Sequence, residues 1–286
     1  MNKGKKNYGA STDITKSKVI EAAGRVRTGR IISLSQIYEN GMPTMDFHGP
    51  YFQYTYRSPD YTLRSFGSFK NKLGSMICRY ELSDHTGTHV DGLNHASRDK
   101  ILYGGSNVYD IEASSGTTEL GIENMPPIFT RGMLFNFPEY FGVDILEPSQ
   151  ELKPADFEGI LKNKRMKIEP GDALLIYTGY SKLWMKDNKR YLDLQPGPGK
   201  RAAQWIARKK VGITGADTAS FDVVTPGTKE LFPCHQVLIT DHGIQLVENM
   251  KLDELALSGI NEFLFVMSPL KLKGGAGSPV APFAVL

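Results

Sequence analysis

The sequence predicts an α/β protein, and three observations carry that expectation. Short apolar runs recur at 133–137, 173–177 and 263–267, with the length and character of buried strands. Segments with helical signals lie between and around them, notably 154–163 and 199–210. The chain has 286 residues, of which 40% are hydrophobic and 23% charged, enough for one sizeable core. Strands interspersed with a few helices define the α/β class.

The elements follow in chain order. Residues 1–20 are polar and are expected to be mobile, or held only by a partner. Arg30–Ser35 reads as a strand by its alternation. Tyr38–Pro59 is rich in Gly, Pro and aromatics and reads as a loop. Its Phe47, His48, Tyr51, Phe52, Tyr54 and Tyr56 suit packing on the body or a neighbouring subunit, or lining a pocket for a planar substrate. Met76–Leu82 reads as a strand leading into a histidine-rich segment. Pro154 opens a helix to about Asn163, at the first-turn position where proline fits. Gly199–Lys210 reads as a second helix, with Ala202, Trp205 and Ile206 on one apolar stripe and Arg208–Lys210 at its C-terminal dipole end. Val211–Thr214 reads as a buried strand, Leu252–Leu257 as a short helix and Phe263–Met267 as a late strand. The division is a basic extension, 1–29, and one domain, 30–286.

The net charge of +3 is unevenly placed. Residues 1–30 carry eight Lys/Arg against two acids, and the remainder carries 26 against 29. The body is therefore no basic nucleic-acid surface. No apolar run approaches the roughly 18 residues of a membrane span, and no apolar stretch follows the N-terminal lysines as in a secretory signal. Two cysteines, Cys78 and Cys234, make no disulfide framework, and a reducing cytoplasm fits them best. Cys234 precedes His235, but neighbours in a strand point to opposite faces, so they do not read as a nucleophile–base pair.

The most informative segment is His85-Thr-Gly-Thr-His89-Val-Asp91-Gly-Leu-Asn-His95, which holds three of the six histidines. His85, His89, Asp91 and His95 are separated by four, two and four residues. Even steps let an extended segment present all four to one face. A helix would put Asp91 across from the histidines, and Gly87 and Gly92 disfavour one. Two imidazoles and a carboxylate converging from one face are good divalent-metal ligands, so His85, His89 and Asp91 are the candidate ligands. His95, just beyond, is the candidate for moving protons.

The string resembles the signature of the cyclase family of metal-dependent hydrolases, which includes bacterial kynurenine formamidases, isatin hydrolases and trans-dienelactone hydrolases. The resemblance runs from about Arg30 to the C-terminus, through Glu169–Gly179, Val211–Thr218 and Ser268–Pro279. It implies the family's swivelling β/β/α fold, a mixed sheet with a small barrel-like region. It also implies that His235 and Glu248 complete a second metal position with Asp91 bridging, and that the Gly274–Gly277 loop lies near the substrate. By residue chemistry alone that loop reads equally as a connection before the last strand. It is no phosphate loop, lacking GK[ST]. Asp217, Thr218, Ser220 and Asp222 are candidates for supporting hydrogen bonds, although no spacing assigns Asp222 a role.

The expected activity is hydrolysis of a small cyclic or aryl amide, imide or lactone, formamidase-like or isatin hydrolase-like, with one or two Zn²⁺ or Mn²⁺ and no organic cofactor. A homodimer or homotetramer is expected, with no nucleic-acid or membrane partner. The same ligand types also fit a two-His-one-carboxylate iron oxygenase, or a non-catalytic metal-dependent binding protein. The added N-terminal arm and aromatic loop set this chain apart from a compact formamidase.

Overall fold

The computed structural model describes residues 7–286. Its centre is a mixed, curled nine-stranded sheet that forms a half-barrel. The spatial order is Ile31–Ser33, Phe283–Val285, Glu262–Met267, Ile128–Asn136, Ala173–Tyr177, Ile213–Ala216, Gln245–Glu248, His89–Asp91 and Gly277–Pro279. The four strands from Ile128–Asn136 to Gln245–Glu248 run parallel, and the flanking pairs are antiparallel.

Parallel neighbours need crossover connections, and two are helical as expected. Pro154–Lys164 has its proline in the first turn, and Lys200–Arg208 buries Ala202, Trp205 and Ile206. Ala173–Tyr177 is buried throughout, as a parallel strand covered on both faces should be. Its alternate residues feed two cores. Leu174 and Ile176 join Phe135, Phe157 and Ile206 on the helical side. Ala173, Leu175 and Tyr177 join Val247, Leu255 and Phe265 on the other.

Other expectations need correction. Part of the Tyr38–Pro59 segment is a strand, Phe52–Arg57, paired antiparallel with Ile77–Glu81 outside the main sheet. The Ile77–Glu81 strand does precede the histidines, yet every residue in it is exposed. A further helix, Pro59–Phe66, links the two strands. The strand expected at Val211–Thr214 lies at Ile213–Ala216.

The polar N-terminal segment, expected to be mobile or held by a partner, is tied to the body from Gly9 onward. Ala10 is buried, and its N–H donates to the Gly243 carbonyl at 2.7 Å. The helix Lys16–Ala23 is capped by Thr15. From it Lys18, 6% exposed, reaches Asp172 at 2.7 Å and Glu169 at 3.0 Å. Arg131 grips the same Asp172 carboxylate with Nε at 3.0 Å and Nη2 at 2.5 Å. These buried charges satisfy one another, as charges out of water must. Residues 1–6 of the basic extension lie outside the described residues. No helix among the described residues is long and apolar enough to cross a membrane.

Candidate metal centre

The histidine string is only partly extended. His89–Asp91 is a three-residue strand, buried throughout, and its alternation puts His89 and Asp91 on one face. His85 reaches that face from the preceding turn, where Gly87 takes a φ of +65°. A Cβ on Gly87 would lie 2.5 Å from the Tyr38 ring, so a side chain fails there on both counts. His95 lies beyond the strand in a bend, half-buried. The four side chains therefore converge through turns at both ends of a short strand, not along one continuous strand.

The neighbouring strand brings Glu248, which sits directly opposite His89 in the antiparallel ladder. It is buried at the C-terminal end of a parallel strand, the usual location of a binding site in an open α/β sheet. His235 arrives on the short helix Pro233–His235, which continues into a π-helical stretch, Gln236–Asp241. Cys234 is therefore not in a strand. Its thiol still does not serve His235, because Sγ donates to the Pro198 carbonyl at 3.2 Å.

Asp91 joins the two sides. Its Oδ1 lies 3.1 Å from His85 Nδ1 and 3.5 Å from His89 Nε2, and its Oδ2 lies 3.6 Å from His235 Nε2. Glu248 repeats the pattern, with Oε2 3.4 Å from His89 Nε2 and Oε1 3.3 Å from His235 Nε2. In each of two groups, His85–Asp91–His95 and His89–Asp91–Glu248, the potential ligand atoms lie within 4.8 Å of one another, and Asp91 belongs to both.

Supporting contacts fix which histidine nitrogen faces inward. His89 Nδ1 lies 2.8 Å from the Gly87 carbonyl, to which it donates, directing Nε2 at the two carboxylates. His235 Nδ1 lies 2.6 Å from Asp222 Oδ2, while the other Asp222 oxygen accepts the Cys234 N–H at 2.6 Å. Asp84 accepts the N–H groups of Ala276 and Gly277, both at 3.0 Å. This holds the glycine-rich loop against His85, where a Cβ on Gly277 would come within 2.8 Å of the ring.

The charges are strongly interdependent. Burial disfavours an Asp91 carboxylate, but His95, His85 and His89 outweigh it and hold the group well below its usual range. Burial and Asp91 likewise oppose ionisation of Glu248, but His235 and His89 bring it to about 2. Burial disfavours His89 imidazolium, yet Asp91 and Glu248 raise it to about 10. His95 is the opposite case, pushed by burial to about 4, so its ring is neutral at neutral pH.

A divalent cation fits this donor set. His89 Nε2 and Asp91 Oδ2 are buried without a hydrogen-bond partner, an arrangement rare unless something else satisfies such atoms. Imidazole and carboxylate together suit first-row divalent ions.

The structure brings His85, His89, Asp91, His95, His235 and Glu248 together in one cluster, and His85, His95, His235 and Glu248 of it line a cavity. Asp217 instead accepts from Thr178 and Ser181, away from the centre. Asp222 is a supporting residue, as its candidacy allowed, and Asp84 is one that the sequence reading did not include. Asp84 had one overlooked signal, its position beside His85 and ahead of a glycine. For Asp222 no spacing pointed to its partner, since its role depends on the later helix that carries His235.

The mixed α/β sheet agrees with the relatives. Residues 32–223 match the Cyclase family model, described as "Putative cyclase", and the chain belongs to that family. It is 24% identical over 257 residues to cyclase-like protein 3 of Oryza sativa subsp. japonica, covering 88% of this chain and 78% of that one. It is also 24% identical over 220 residues to an isatin hydrolase of Roseibium aggregatum, covering 72% and 73%. Among solved structures, one described as a novel cyclase superposes with a TM-score of 0.89 at 26% identity, covering 99% of this chain and 95% of the other. Isatin hydrolase A from Ralstonia solanacearum shares the fold, with a TM-score of 0.70 at 19% identity, covering 94% and 97%.

Proposed function

We propose that the protein is a metal-dependent hydrolase that opens a small cyclic or aryl amide, imide or lactone, with His85, His89, Asp91, His235 and Glu248 holding one or two Zn²⁺ or Mn²⁺ ions. The observation that carries this reading is buried Asp91, whose two oxygens face different histidines, Oδ1 toward His85 and His89 and Oδ2 toward His235. A carboxylate shared between two imidazole sets would suit a two-metal hydrolytic centre. The 24%-identical isatin hydrolase relative supports hydrolysis of a cyclic amide.

A cation bound there supplies Lewis acidity and acidifies water toward neutral pKa. The chain's own residues do the rest. Asp91 and Glu248 fix the donor geometry, and Asp222 and the Gly87 carbonyl set the histidine tautomers. His95, neutral and beside His85 with ring centroids 3.9 Å apart, accepts the proton of the attacking water. It then delivers that proton to the leaving nitrogen or oxygen. The cavity is about 150 Å³, small beside the roughly 300–1,000 Å³ of drug-sized sites, which supports a small substrate.

A homodimer or homotetramer belongs to the same proposal. The Phe52–Arg57 and Ile77–Glu81 ribbon has almost no burial on either face, and an isolated two-stranded ribbon is marginal in water. A reducing cytoplasm accords with the unpaired Cys78 and Cys234.

The test is an anaerobic screen of metal-quantified protein on N-formylkynurenine, isatin, simple lactones and aryl amides, with and without chelator. Chelator-sensitive, oxygen-independent turnover is expected, and His89→Ala should lose metal and turnover together. Full turnover by a His89→Ala protein of normal metal content would remove the ligand assignment. Activity only with Fe(II) and oxygen would remove the hydrolase reading.

A further inference from the structure

The antiparallel ladder between the two ligand-bearing strands stops just past the ligands. Glu248 opposite His89 is its last backbone rung. The next position in register sets Thr88 opposite Asn249, and there a side chain makes the link. Thr88 Oγ1 donates to the Asn249 carbonyl at 2.7 Å. The same hydroxyl accepts the Gln36 N–H at 2.9 Å, so it is used both as donor and as acceptor. Thr88 is fully buried.

Asn249 leaves the ladder because its backbone is left-handed, with a φ of +54°, a conformation that asparagine tolerates better than most residues. Three contacts hold it there. Its N–H donates to the Thr218 carbonyl at 2.9 Å. Its carbonyl accepts from Thr88, and its Oδ1 accepts from the Tyr191 hydroxyl at 2.8 Å. Tyr191 is fully buried on the short helix Asn188–Leu192, and its hydroxyl also lies 3.2 Å from the Asp217 carbonyl. Thr88, Asn249 and Tyr191 belong to neither group of potential ligands. Yet Thr88 immediately precedes His89, and Asn249 immediately follows Glu248. Satisfied hydrogen bonds in a buried network fix one geometry.

We propose that Thr88 and Asn249 are positioning residues whose bond clamps the His89 strand to the Glu248 strand. The clamp sets the separation of His89 Nε2 and Glu248 Oε2, which lie 3.4 Å apart, and Tyr191 braces it from behind. The Phe221 N–H donates to Glu248 Oε1 at 2.8 Å and holds the carboxylate's rotation. The clamp therefore governs the distance between the two donors and not the orientation of the carboxylate. Without it the two strand ends part, and a cation between them meets a looser donor set. Tolerances at such a site are about 0.5 Å. The inference rests on the proposed hydrolase reading only in placing a cation between His89 and Glu248.

The test reads metal binding, so it does not depend on turnover. Metal-free wild type and four variants are titrated with Zn²⁺ against a chromophoric chelator, and the visible spectrum of each is recorded with Co²⁺. Thr88→Val keeps the shape of the side chain and removes the hydroxyl. It should lower Zn²⁺ affinity about 10-fold and shift the Co²⁺ bands, which report coordination geometry. Thr88→Ser restores the donor and should bind within about 3-fold of wild type. Asn249→Gly keeps the left-handed backbone and the carbonyl but cuts the link to Tyr191. It should weaken binding about 3- to 10-fold, and it stays decisive if Thr88→Val does not fold. Thr130→Val is the control. Thr130 is also fully buried, and its hydroxyl donates to the Gly171 carbonyl at 2.7 Å from a strand that carries no ligand. This variant should lose stability to denaturant and keep wild-type Zn²⁺ affinity and Co²⁺ bands. Unaltered metal binding in Thr88→Val and Asn249→Gly overturns the clamp. So does an equal loss in Thr130→Val or in Thr88→Ser. A wild type that binds no metal overturns the clamp and the hydrolase reading together. The expected shifts without hydrolysis of any compound retain the clamp and remove the hydrolase reading, and metal-dependent hydrolysis with unaltered metal binding in the variants does the reverse.

Discussion

Asp222→Asn tests the centre through a residue expected to touch neither metal nor substrate. In the folded chain one Asp222 oxygen accepts the Cys234 N–H and the other faces His235 Nδ1, both at 2.6 Å. Asparagine has only one oxygen. If that oxygen keeps the Cys234 N–H, the amide NH₂ faces His235 Nδ1 and requires it to accept. The imidazole proton then moves to Nε2, the nitrogen 3.3 Å from Glu248 and 3.6 Å from Asp91. A protonated Nε2 cannot bind metal. Loss of such an outer partner typically costs about 10–100-fold in metal affinity, or about 1.4–2.7 kcal/mol. The tautomer conflict puts the expectation at the upper end. Calorimetric titration with Zn²⁺ should show the weaker of two binding events lost or weakened about 100-fold, with the stronger event within a few-fold of wild type. Two events of unaltered affinity in Asp222→Asn would refute the assignment of His235 as a ligand oriented by Asp222.

Three further outcomes are expected. His95→Ala should keep its metal and lose about 10²–10⁴-fold in turnover, measured on whichever compound the screen identifies; an unchanged rate removes His95 from proton transfer. Apparent metal affinity should rise with pH, because Asp91 and Glu248 hold a proton on His89 up to about 10 that metal must displace. The slope between about pH 6 and 8 should be about tenfold per unit for each proton released, and a flat profile argues against a protonated metal-free centre. Lys18→Met should destabilise the fold by about 2 kcal/mol, below the roughly 3–5 kcal/mol for breaking a buried pair, because Arg131 remains on Asp172. Denaturant unfolding and limited proteolysis of residues 7–23 would show it. Burial opposes the Lys18 charge, but Asp172 and Glu169 raise its pKa above 10.5, so its contribution is intact at neutral pH and is lost only above that value.

Legibility in the sequence followed the range of the physics involved. The helices at Pro154–Lys164 and Lys200–Arg208 carry local signals, a first-turn proline and a 3.6-residue apolar stripe, so they could be read directly. The ribbon of Phe52–Arg57 and Ile77–Glu81 could not. It has no buried face, so no alternation marked it, and its aromatics and glycine-rich flanks resemble loop composition. The N-terminal helix was hidden for the opposite reason. Its anchor is a lysine, and only the fold reveals that Asp172 waits for it. The ligand residues of the string were legible because they lie within eleven positions. His235 and Glu248 came only through family resemblance. Asp84, and the partner of Asp222, needed the packing of separate elements around one centre.

The pairing of Glu248 with His89 across adjacent strands also bears on how the centre fills. These residues are opposite rungs of a backbone ladder, whose spacing is set by main-chain hydrogen bonds at about 4.5–5.5 Å between Cα atoms. Asp91 follows two residues along the same strand. Much of the donor array is therefore assembled by the sheet before any ion arrives. Entry of a cation then requires loss of imidazole protons and of the ion's own water, with little chain ordering. Metal uptake by the folded protein should accordingly be a fast, proton-coupled exchange whose rate tracks the dehydration of the ion, and a chelated protein should keep its fold and refill without refolding.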